Sequence, residues 1–90
     1  MSRFSLVRLG EHPAGDSGPM SQILDGESYQ AIPDEVRPRV GCGVRVGSYA
    51  SRTYSMQDYW QTTLVTKILK DEPDYILFET KNSTYEWRLL

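Results

Sequence analysis

From Trp60 to Leu90 the chain alternates residue by residue, is rich in β-branched and aromatic side chains, and is interrupted twice by turn-forming residues. Trp60, Thr62, Leu64, Thr66 and Ile68 share one parity against Gln61, Thr63, Val65, Lys67 and Leu69. A period of two belongs to a strand; an amphipathic helix would repeat near every 3.6 residues. Asp71-Glu72-Pro73-Asp74 then predicts a turn, since proline fixes φ and the acids keep the segment solvated. Tyr75 to Thr80 reads as the next strand. Lys81-Asn82-Ser83 is a tight connection in which Asn82 tolerates a left-handed conformation, and Thr84 to Leu90 returns with Tyr85, Trp87 and Leu89 on one face. Three strands joined by two short turns make an antiparallel meander.

Upstream the pattern is patchier. Arg3 to Leu9 alternates loosely, with Phe4 and Leu6 against Ser5, Val7 and Leu9, and predicts a short strand. Gly10 to Gly18 clusters glycine, proline and small polar residues and predicts a flexible loop. Met20, Ile23 and Leu24 fit a turn or two of helix that Gly26 would cut short. Ile32 to Pro38, with proline near both ends, predicts a turn leading into an extended segment.

Between Val36 and Val46 a second strand pattern emerges. Val36, Val40, Cys42, Val44 and Val46 share one parity, which would place Arg37, Arg39 and Arg45 on the opposite face with Gly41 and Gly43. The glycines fit a bend at a barrel corner first, and a close approach by a partner's backbone or flat ring second. Gly47 to Tyr59 is polar and aromatic without a period and reads as an ordered loop.

These segments predict an all-β fold of about five antiparallel strands, as a small SH3-like barrel or a curled sheet that hides its edges. The alternative is α+β, with one short helix near residues 19–31. At 90 residues the chain reads as a single domain, 1–90, with residues 10–35 loop-rich and partly flexible. Strand edges left open would allow a homodimer.

Composition limits the chemistry. One cysteine, Cys42, cannot form an internal disulfide, and with His12 it is the sole residue of its kind, so no zinc site and no secreted disulfide scaffold is expected. No apolar run reaches signal-peptide or membrane-spanning length, so the expectation is a cytoplasmic protein without membrane partners. The net charge of -2, spread over both halves, argues against a polybasic nucleic-acid binder. His12 lies in a Gly/Pro loop without a nucleophile or orienting group, Cys42 sits on the apolar parity of a strand, and Asp34-Glu35 and Asp71-Glu72 lie in turns. No catalytic residue, cofactor or metal is expected, and the chain reads as a non-enzyme.

The candidate functional residues are Arg52, Tyr54, Asp58, Tyr59 and Trp60, in a loop that either plugs the core or displays aromatic area to a partner. Arginine, tyrosine and tryptophan dominate interface hot spots, and the same rings stack on unpaired bases. Arg37, Arg39 and Arg45 form the secondary, basic candidate face. The run Arg52, Gln57-Asp58-Tyr59-Trp60, Thr62-Thr63, Val65-Thr66, Phe78, Thr80, Asn82-Ser83 and Tyr85 resembles a pattern in small uncharacterised bacterial and phage-associated proteins, with Tyr59 standing where that pattern has tryptophan. The resemblance covers the second half of the chain and implies a mobile-element origin. Together these features predict a non-enzymatic protein that docks on a host protein, for example as an anti-CRISPR-like inhibitor of a bacterial defence system. The alternative is a nucleic-acid-binding SH3- or OB-like module using the arginine face.

Overall fold

A computed structural model of the chain describes residues 3–11, 13–48 and 58–90. Eight strands run through them: β1 (Phe4–Arg8), β2 (Ala14–Gly18), β3 (Met20–Leu24), β4 (Gly43–Ser48), β5 (Asp58–Gln61), β6 (Val65–Glu72), β7 (Tyr75–Thr80) and β8 (Thr84–Leu89). All pairings are antiparallel. They build a five-stranded sheet, in the order β2-β1-β8-β7-β6, and a three-stranded sheet, in the order β3-β4-β5. The fold is all-β, two curled sheets without a closed barrel, and no described residue is helical.

The two sheets share one core. Phe4 and Leu6 of β1, Val65 of β6, Ile76 and Phe78 of β7, and Tyr85 and Trp87 of β8 meet Ile23 of β3 and Val44 and Val46 of β4. Alternation puts them there: in β7, Ile76, Phe78 and Thr80 are buried, while Tyr75, Leu77 and Glu79 between them are half-buried. Phe4 lies 5.8 Å from Trp87 and Phe78 stacks on Tyr85 at 5.4 Å between ring centroids. Each such pair adds about 0.5–1.5 kcal/mol beyond its buried area.

The predicted meander is present as β6-β7-β8, with turns at 73–74 and 81–83. The stretch from Trp60 to Leu69, however, is two strands in different sheets. The chain turns the corner at residues 62–64, where Thr62 is buried. Thr62 N donates to Val44 O, and the Thr62 hydroxyl accepts from Val44 N at 3.1 Å and donates to Thr63 O. Val65 N then bonds Cys42 O and Gly41 N bonds Val65 O, so pairing passes from the small sheet to the start of β6. Past that corner the inward phase moves to Val65, and two bulges leave most of β6 exposed.

Three upstream segments differ from expectation. Residues 14–18, expected within a loop, form β2, the edge of the large sheet. Their small side chains reflect close backbone approach: a Cβ on Gly18 would lie 2.4 Å from Gly47 O, and one on Gly15 would lie 1.9 Å from Leu6 O. Residues 20–24, the expected helix, form β3 and carry the chain into the small sheet immediately after Pro19. Burial of Ser21 and Ile23 on one face, a period of two, outweighed the helical spacing of Met20, Ile23 and Leu24. Finally, β4 begins only at Gly43. Val36 and Val40, expected inside, are 39% and 58% exposed, in a segment that precedes the strand.

Candidate functional site

The outer face of the three-stranded sheet carries a row of polar side chains set by strand register. Gln22 of β3 pairs with Arg45 of β4, and Arg45 pairs with Gln61 of β5. The Arg45 guanidinium donates to Gln61 Oε1 at 2.9 and 3.1 Å on one side and to Gln22 Oε1 at 3.2 Å on the other. Two residues along, Gly47 pairs with Tyr59. No side chain stands at Gly47, and the Arg45 guanidinium lies over the Tyr59 ring, 4.9 Å from its centroid. Such a cation–π contact is worth about 0.5–1 kcal/mol at an exposed site. It also holds a long, flexible side chain in one orientation.

Trp60 follows Tyr59 and therefore points the other way. It is partly buried against the core, and the Arg8 guanidinium sits 5.4 Å from its ring centroid. Its indole N–H is buried and lacks a hydrogen-bond partner among the described residues. Tyr59 and Trp60, adjacent in sequence, thus lie on opposite faces of β5. Asp58 pairs with Ser48 through the backbone as the first residue of β5. Arg52 and Tyr54 lie outside the described residues, as do His12 and the remainder of the aromatic loop up to residue 57.

The predicted basic face is not assembled. Of its three arginines only Arg45 is on β4. Arg37 reaches the β6–β7 turn, where it pairs with Asp71 and donates to Glu72 O at 2.9 Å and Pro73 O at 2.7 Å, with its guanidinium 5.6 Å from the Trp87 ring centroid. Arg39 pairs with Glu35 at 3.0 Å. Both precede β4, in a segment that turns at residues 40–41, so the parity that aligned them with Arg45 breaks. Arg37 fastens that segment to a hairpin, and of the three arginines expected on one strand face Arg45 alone is on a strand.

Gln22, Gln61 and Arg8 are the additions to the predicted set. Gln61 was readable from its shared parity with Tyr59, whereas Gln22 fell in the expected helix. Arg8 reaches Trp60 only through the packing of β1 against the small sheet, a pairing with no local signature. Among the described residues no group of three histidine, cysteine, aspartate or glutamate side chains could hold a metal ion, and no helix is long and apolar enough to cross a membrane. Comparison with known proteins finds no matching family model, curated protein or solved structure.

Proposed function

We propose that this chain is a non-enzymatic binding protein that docks on a larger host protein through the outer face of β3-β4-β5. The observation that carries the proposal is the Arg45–Tyr59 stack, braced by Gln22 and Gln61. Arginine and tyrosine are the residue types that anchor interfaces, and side chains already held in place lose less rotamer freedom on binding. Beside the Tyr59 ring, the row consists of polar side chains, Gln22, Arg45 and Gln61. The sequence pattern of the second half, read as resembling phage-associated proteins, is the reason for taking a bacterial host protein as the partner. Inhibition of a defence system, in the manner of an anti-CRISPR protein, is the most concrete form of this reading and rests on that likeness alone.

The test is affinity capture from a bacterial host followed by calorimetry with the captured protein. Tyr59→Ala and Arg45→Ala should each weaken binding by about 2 kcal/mol, roughly thirtyfold, while the chain stays folded. Variants that bind as tightly as the parent, or a folded parent that retains no host protein, would sink the proposal.

A further inference from the structure

Between β3 and β4 the chain passes from the edge of the small sheet to the corner at β6, and few contacts hold it on the way. We propose that residues 34–41 form a latched strap, which swings away as one unit, with both sheets still folded, when Arg37 releases the β6–β7 turn. Both ends suit a hinge. Asp34 and Gly41 lie in the left-handed region, at φ 65° and φ 90°, and a Cβ on Gly41 would meet nothing within 4 Å. A few loop residues at the ends of a moving segment are enough to absorb its rotation. Backbone bonds fix the chain at either end: Ile32 N donates to Ile23 O at 2.8 Å, and Gly41 N donates to Val65 O at 2.9 Å.

Within the strap, Arg39 pairs with Glu35, a contact that travels with it. Apart from the bonds at its ends, its polar ties to the sheets among the described residues come from Val36 and Arg37. Val36 O accepts from Ser21 Oγ at 2.6 Å. Arg37 pairs with Asp71, donates to Pro73 O and Glu72 O at 2.7 and 2.9 Å, and lies over the Trp87 ring. Little apolar burial opposes release. Val36 and Val40 are exposed, and Pro38 is the one buried residue of the strap. A segment with so few buried contacts opens locally at less cost than the whole molecule unfolds.

The strap covers Trp87. That indole is 1% exposed; Arg37 lies over its ring, and its N–H donates to the Ser21 hydroxyl that Val36 O caps. Opening uncovers the ring face and the hydroxyl together. It also removes residues 34–36 from the wall of a groove of about 370 Å³ beside Phe4 and Ser21. The latch rests chiefly on the two carbonyl bonds, which are charge-assisted and short in range. The Arg37–Asp71 pair adds less, because its side chains are 41% and 64% exposed and salt screens them.

Hydrogen exchange of the Trp87 indole N–H, followed by NMR on the folded chain, tests the latch. This proton should exchange faster than the backbone amides of β7, which is paired on both sides, and its rate should depend only weakly on urea. Exchange through global unfolding would carry the full urea slope. Arg37→Ala should speed indole exchange about tenfold, and Arg37→Lys, which keeps the charge but loses the planar fork, should act in the same direction. Asp71→Asn, or about 1 M sodium chloride, should speed it no more than about threefold. Ile76→Val, a mild core truncation, should speed the β7 amides and leave the indole rate unchanged, because the core stays packed when the strap opens. The proposal is overturned by an indole rate with the full urea slope, by an Arg37→Ala rate equal to that of the parent, or by an Ile76→Val indole that speeds up as much as β7.

Discussion

Trp87 is the largest side chain fully enclosed by the two sheets, and its one polar atom is held by a single hydroxyl. The indole N–H donates to Ser21 Oγ at 3.0 Å, and that hydroxyl donates to Val36 O at 2.6 Å, which ties β8 to β3 and to the segment before β4. Ser21→Ala would strand a buried donor. We expect it to cost about 1–3 kcal/mol, read as a lower urea midpoint with an unchanged slope. Two other residues give stability a pH dependence of opposite sign. The Tyr75 hydroxyl donates to the Glu86 carboxylate, and that bond, followed by burial, raises the phenol above its ordinary value of 10.0. A raised folded value means that the contribution is complete below about pH 10 and is lost as pH climbs through the folded value. Tyr75→Phe should therefore flatten the alkaline limb of the denaturation midpoint plotted against pH. Asp25 accepts backbone N–H groups from Glu27 and Ser28, which lower its carboxyl from 3.8. Its contribution is complete above about pH 4 and declines as pH falls through the folded value, so Asp25→Asn should flatten the acid limb alone.

Among the elements, β2 has the least side chain and the tightest surroundings. Gly18 faces the Gly47 carbonyl where β2 crosses β4, and that neighbour is backbone with little room to yield. Gly18→Ala should therefore lower stability by about 1–3 kcal/mol or more, as overpacking does, and a thermal melt would show it. A Gly18→Ala protein as stable as the parent would mean that the sheets do not meet at this corner. This dependence on a distant strand explains why β2 was not legible in Ala14-Gly15-Asp16-Ser17-Gly18: the pattern signals local turn chemistry, while the reason for the glycines lies on β4. The β6-β7-β8 meander was legible because both its turns and its inward residues, Ile76, Phe78, Tyr85 and Trp87, are set by local sequence. The site was legible in part. Tyr59 was found by residue type, but its stacking partner Arg45 had been aligned with Arg37 and Arg39 by a parity that the turn at residues 40–41 interrupts.

At the scale of the molecule, neither sheet has a core of its own. The buried faces of β1, β7 and β8 supply one side of the cluster, and Ile23, Val44 and Val46 from the small sheet supply the other. Hydrogen bonds from Thr62 to Val44, from Val65 to Cys42 and from Gly41 to Val65 join the sheets along one corner. Loss of either sheet would expose the apolar face of the other, a cost neither could recover in water. Unfolding should therefore be a single transition. Leu6→Ala on β1, at a residue with no solvent exposure, should cost about 2–5 kcal/mol, and a truncation at Val44 on β4 should move the same transition in the same direction. Tryptophan fluorescence and far-UV circular dichroism should trace coincident curves for the parent and both variants. Separate midpoints, or a Val44→Ala variant that loses only one of two steps, would show that the sheets fold as independent units despite their shared interior.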